Sequence, residues 1–293
     1  MAVYEHTYRR YSGPRTDPRS RFLVIPKYAT KEVFRSKLFL AFFVLCFLVP
    51  LGAAVAIWFL NNSTFLEYFR ALFRTGEDFR LTLGGGFFFT LMSIQGILAM
   101  LLTIVAAPAL MAADLRNNAL PLYLSRPFSR TEYVLGKIVI LLALLSAITW
   151  IPLCFLFLFQ GSQVSGWIGE YGWIGWSLLV GSGLWIVVLS MVGLAVSATV
   201  RWKPIASLTL FGFYFFSWSL AKMVYGLPGF RQATPWADVF SPISSMLAVW
   251  QSLFRESFGP SIPAWAGVAA LLALCGVCLI QLGRKVRAYE VIK

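Results

Sequence analysis

Few residues in this sequence belong to types that do chemistry, and their spacing excludes most of what such residues do. The one histidine, His6, stands in the N-terminal tail. That leaves no histidine triad, no histidine metal cluster and no histidine proton relay. The four cysteines, Cys46, Cys154, Cys275 and Cys278, all fall inside apolar runs, not in loops where a disulfide framework would stand. Cys275 and Cys278 share a helix face, but Leu, Ala and Val surround them and they read as small buried hydrophobes. Gly136-Lys137 lacks the upstream glycine and the following Ser or Thr of a phosphate-binding loop. No paired carboxylates interrupt the apolar runs. Polar residues within them include Thr90, Ser93, Gln95, Thr103, Ser146 and Thr149, and ordinary interhelical hydrogen bonding accounts for these. No residue is assigned a catalytic or metal-binding role.

What remains to be positioned is therefore the chain itself. Of its 293 residues, 59% are hydrophobic and 13% charged, and mean hydropathy is +0.74. A soluble domain is typically about 45–50% apolar and about 25% charged, so these values describe a polytopic membrane protein. Six uncharged or nearly uncharged stretches approach or exceed the roughly 20 residues that cross a bilayer as a helix. They cover residues 38–60, 87–113, 138–159, 174–200, 204–225 and 263–283. The fold expected is all-α, with a cytoplasmic tail and interfacial helix over 1–37, a six-span domain over 38–283 and a cytoplasmic C-terminus over 284–293. No cleavable signal is expected. Arg9-Arg10 is followed by Pro14, Arg15, Asp17, Arg19 and Arg21, where a leader needs an apolar core.

The net charge of +13 would suggest nucleic acid in a soluble protein, but here it follows the loops. With both termini inside, nineteen of the 25 Lys and Arg fall on the inner side. The acidic residues divide evenly, so the whole excess lies on one face, as the positive-inside rule requires. The topology expected is N-in, C-in, in the cell's inner (cytoplasmic) membrane, with the lipid bilayer as a partner and no nucleic acid. Segment 21–37 mixes apolar and basic residues and suits an amphipathic helix on the cytoplasmic surface. In the first outer loop, Phe65, Leu66, Phe69, Leu72 and Phe73 recur at helical spacing. The proline-studded segment 226–262 has room for short outer helices before the last span. Lys222, near the end of the fifth span, is expected to snorkel to the outer interface. Pro50, Pro108 and Pro152 should bend or break their helices. The small residues of the fourth span, from Ser177 to Ser197, favour tight helix packing within the subunit, with a dimer seam as the other use.

The loop between the second and third spans is the most informative stretch. Asp114 ends the second span, Arg116 follows, and Leu120–Leu124 makes a short apolar knob carrying Leu122. Next come Leu124-Ser125-Arg126-Pro127-Phe128-Ser129-Arg130, then Glu132 and Tyr133-Val-Leu-Gly-Lys137. Pro127 disfavours helix at Arg126, and an apolar knob ringed by charge is a docking element or a plain positive-inside anchor.

This loop resembles the corresponding one in permease subunits of ABC-2-type ABC transporters. The pre-span helix, the six spans and Ser241-Pro242-Ile243-Ser244 before the last span are similar to that family too. Where family members often carry a Glu-rich start and Gly-Thr, this chain has Asp114-Leu-Arg116-Asn-Asn118. The resemblance implies a transmembrane permease, not an enzyme, that couples ATP hydrolysis in a separate subunit to export. It implies cytoplasmic ABC ATPase partners, with ATP and Mg bound there and no cofactor on this chain. It also implies a second permease subunit, a homodimer before a heterodimer. The implied ATPase-docking residues are Asp114, Arg116, Leu120, Leu122, Leu124, Ser125, Arg126, Pro127, Arg130 and Glu132, with Arg201, Trp202 and Lys203 as a second coupling loop. Three other readings stay open. They are a stand-alone six-span channel or carrier, a lipid-modifying membrane enzyme, and a non-transporting subunit of the same fold that transmits force to an outer-face accessory protein.

Overall fold

A computed structural model describes residues 29–31, 33–62, 83–116, 130–226, 235–257 and 262–285. Among the described residues every long regular element is an α-helix, and six helical stretches are long and apolar enough to cross a membrane. The first span is two helices in line, α1 (Lys37–Leu45) and α2 (Leu48–Asn61). The second is α3 (Gly85–Arg116), 32 residues long. The third is again a pair, α4 (Arg130–Ile148) and α5 (Trp150–Gln163). Then come α6 (Trp167–Ser197) and α7 (Lys203–Gly226). A 3-10 helix (Pro235–Phe240) and the short α8 (Pro242–Leu253) precede the last span, α9 (Ala264–Lys285). The amphipathic segment before the first span and the helical spacing over Phe65–Phe73 lie wholly or mostly outside the described residues.

Small residues decide which helices lie at the centre. In lipid no hydrophobic drive holds two helices together, so close backbone approach must do it. Gly193 of α6 faces α3 so closely that a β-carbon there would sit 2.8 Å from Thr103 Cγ2 and 2.9 Å from Ala107 Cβ. Ser177, Gly181, Ser182, Ser190, Ala195 and Ser197 are buried with it. The small-residue face of the fourth span therefore packs within the subunit, and α3 and α6 form the centre of the bundle with the other spans around them. The turn from α5 into α6 passes through Gly166 at φ 81°, a left-handed conformation that a β-carbon would strain.

Each span proline leaves one backbone carbonyl without its helical donor, because the N–H of residue i normally donates to the carbonyl of i−4 and proline has none. Pro50 orphans Cys46 O, Pro152 orphans Ile148 O and Pro108 orphans Ile104 O. The first two spans so affected break beside the orphan, at Cys46-Phe47 and at Thr149. Helix α3 instead runs through Pro108 without interruption. All three carbonyls find side-chain donors on other spans. Gln95 of α3 is fully buried, and its Nε2 donates to Cys46 O (3.0 Å) and also to Ile148 O. Both neighbours are acceptors, so the amide nitrogen, with its two protons, is the end that faces them. Ser207 Oγ of α7 donates to Ile104 O at 2.8 Å.

At the end of the bundle away from the loop between α3 and α4, α8 packs with eight of its residues buried. Ser241 caps it, accepting from Ser244 N at 3.2 Å, and Pro242 takes a first-turn place where no N–H is needed. Trp250 Nε1 donates to Gly181 O (3.2 Å) and Trp185 Nε1 to Gly96 O (2.9 Å). The Trp250 ring leaves no room for a β-carbon at Gly96. Lys222 does not simply reach for the interface. Its Nζ lies 3.0 Å from Oδ1 of Asp238, a buried carboxylate on the 3-10 helix, so the pre-α9 segment is tied to the end of α7.

Candidate functional site

The end of α3 and the start of α4 frame the loop singled out by sequence, and three side chains fasten them together. Tyr133 and Lys137 stand four residues apart on α4 and therefore share a face. Tyr133 Oη donates to Asp114 Oδ2 at 2.7 Å, and Lys137 Nζ lies 2.7 Å from the same oxygen. The ammonium also sits 5.5 Å from the centre of the Tyr133 ring, within reach of its negative face. Lys137 is 5% exposed and Asp114 17%. A carboxylate in the last turn of a helix opposes the negative end of the helix dipole. A buried cation is what makes Asp114 tolerable there, and without its carboxylate the cation would be equally costly.

Among the residues implied as docking positions, Asp114 is half-buried, Arg116 exposed and Glu132 half-buried. Arg130 opens α4. Leu120, Leu122, Leu124, Ser125, Arg126 and Pro127 lie outside the described residues. Arg201, Trp202 and Lys203 are exposed in the tight connection between α6 and α7. The fold brings Asp114 and Lys203, from the two loops, to one crevice of about 400 Å3. Lys137 and Arg35 line it too, above a floor that includes Val33, Phe39 and Leu110.

Tyr133 and Lys137 were legible as a motif, but their work as a clamp on Asp114 was not. Arg35 carried no signal of its own in the sequence. Gln95 was legible only as one mild polar residue among several in the spans, and the span prolines only as bends or breaks. The arrangement braces the end of α3 against α4 beside a charged crevice. Among the described residues, no nucleophile with a partnering base converges on the clamp or the crevice.

No curated relative matches the sequence. The family model described as "ABC-2 family transporter protein" matches residues 24–289, which takes in all six spans and the clamped loop. With six membrane-spanning helices in that span of sequence, the chain belongs to the ABC-2 transporter family.

Proposed function

We propose that this chain is the transmembrane permease of an ATP-driven exporter, working as a pair of permease subunits, identical before non-identical, with two cytoplasmic ABC ATPases. ATP and Mg bind to the ATPases and this chain holds neither. The basic end faces the cytoplasm across the inner membrane. The observation that carries the reading is the Asp114–Tyr133–Lys137 clamp. It ties both roots of the loop over 117–129 to buried side chains of two spans, so that force applied to the loop reaches α3 and α4 together. A loop tethered at only one root would yield without moving the bundle.

On this reading the ATPase docks on Leu120, Leu122 and Leu124 ringed by Arg116, Arg126 and Arg130, with Ser125, Pro127 and Glu132 shaping the turn. Arg201, Trp202 and Lys203 form the second contact. Closure of the ATPases biases the spans between two arrangements, which is what ATP-driven transport requires.

The test is co-purification in mild detergent from native membranes, with ATP hydrolysis assayed in the eluate. The expected result is a stoichiometric ABC ATPase with vanadate-sensitive turnover. A second preparation carries Leu122→Asp, Leu124→Asp, Arg126→Glu and Arg130→Glu and should lose the ATPase while the permease stays folded in the membrane. Normal recovery of the ATPase with the fourfold variant would sink the loop assignment, and its absence from the unaltered chain would sink the permease reading.

A further inference from the structure

We propose that the crevice between the segment preceding α1 and the adjoining ends of α3, α4 and α7 binds the phosphate of an anionic phospholipid. Four features of the crevice carry this.

The first is charge. Arg35, Lys137, Lys203 and Asp114 line the crevice. Lys137 is matched by Asp114 at 2.7 Å. Arg35 and Lys203 are exposed and pair with no acidic side chain among the described residues. Among the described residues, two cations are therefore in surplus at this crevice. The second is backbone polarity. Ser36, the N-cap of α1, and Lys203, the first residue of α7, both line the crevice. Two helix N-termini thus meet where the cations are, and each adds partial positive charge that favours a phosphate.

The third feature separates a lipid from a free anion. The floor is apolar, made by Val33, Phe39, Val105, Ala109 and Leu110. An inorganic anion gains nothing from such a floor, whereas a glycerol backbone and the first methylenes of an acyl chain bury surface on it. The fourth is the way out. Within about a turn and a half beyond the cations, Leu38 and Leu40 of α1 and Ile205 and Leu208 of α7 are exposed large hydrophobics. Acyl chains leaving the crevice would run along membrane-facing side chains. Basic pockets between spans on the side facing anionic lipid are where such head groups are held.

The assignment does not depend on an ATPase partner and is tested without one. The whole chain is delipidated in mild detergent and titrated with phosphatidylglycerol, and bound lipid is read by native mass spectrometry. Phosphatidylcholine and inorganic phosphate are run in parallel. Phosphatidylglycerol should bind in preference to phosphatidylcholine. The double variant Arg35→Gln, Lys203→Gln should weaken it about thirtyfold, at the usual attraction of two surface cations for an anionic head group. The charge-keeping variant Arg35→Lys, Lys203→Arg should retain binding within a few-fold, which controls for folding together with an unchanged melting temperature of the lipid-free chain. Equal affinity in the unaltered chain and the glutamine variant would overturn the proposal, as would equal binding of the two lipids. Binding of inorganic phosphate as strong as that of phosphatidylglycerol would overturn the lipid and leave a soluble anion as the occupant.

Discussion

The membrane interior and the basic end solve the same problem with opposite chemistry. In the interior, three prolines leave three carbonyls without donors, and neutral side chains of other spans supply them: Gln95 for two and Ser207 for the third. At the basic end, a carboxylate in the last turn of α3 is answered by a full charge, Lys137, and a phenol, Tyr133. Neutral amides and hydroxyls are weak partners, worth about 0.6 kcal/mol on average between spans. A buried ion pair is hard to break from one side. On the proposed reading, the interior contacts are the ones a moving bundle exchanges, and the clamp is the one that stays closed. The same reading assigns the give to the broken spans and the stiffness to the joined ends of α3 and α4.

The sharpest way to break that contrast is at the clamp. Lys137→Met leaves the Asp114 carboxylate in a half-buried place with its ammonium gone, and removing one partner of a buried pair costs about 3–5 kcal/mol. A chain carrying Lys137→Met with Asp114→Leu should recover most of the loss, because neither charge is then stranded. Thermal unfolding of the purified variants in detergent measures both. If the single substitution melts like the unaltered protein, the clamp is not what holds α3 to α4.

Gln95→Leu comes next. It strands Cys46 O and Ile148 O at once, and each buried unpaired group costs about 1–3 kcal/mol, so about 2 kcal/mol overall is expected after neighbouring groups relax. The contrast is sharpened by restoring the missing donors in the backbone. With Pro50→Ala and Pro152→Ala in place, both N–H groups return, both spans can run straight, and Gln95→Leu should cost less than about 1 kcal/mol. The same triple variant should lose export or coupled ATPase turnover even where its stability is regained, since the breaks would be gone. An unchanged cost of Gln95→Leu in the alanine background would show that the glutamine serves something other than the proline carbonyls.

Much of this architecture could be read in advance, and the limits have a physical form. Six spans follow from run length and hydropathy, which are local properties, and the described residues hold six helices long and apolar enough to span a membrane. Pro50, Pro108 and Pro152 could be read as bends or breaks. The donors to the carbonyls they orphan could not, because Gln95 lies 49 residues from Cys46 and 53 from Ile148. Nothing in a single sequence fixes the register of one span against another. Lys222 shows the same limit. Its position near a span end suggested the interface, while its partner, Asp238, belongs to a short helix sixteen residues on. The clamp was half legible, since Tyr133 and Lys137 were read with the loop motif, while the bond to Asp114 joins two helices across the loop. Of the docking residues, those from Leu120 to Pro127 carry the family likeness yet lie outside the described residues, so their reading stands on sequence.

The smallest expected effect tests whether the interior contacts are truly interchangeable. Ser207 donates to Ile104 O from α7, a span on the outside of the bundle, and α3 passes Pro108 without breaking. Ser207→Ala should cost about 0.6 kcal/mol, the average for such a bond between spans, and Pro108→Ala should remove even that by returning the backbone donor. The two together should behave additively in every respect except this one bond, so a double-mutant cycle isolates it. A coupling near zero would mean that Ile104 O already shares another donor within α3 and that the serine is incidental. A coupling of several times the average would mean that Ser207 holds α7 against α3 as firmly as Lys137 holds α4, and the division between a yielding interior and a rigid basic end would fail at its weakest point.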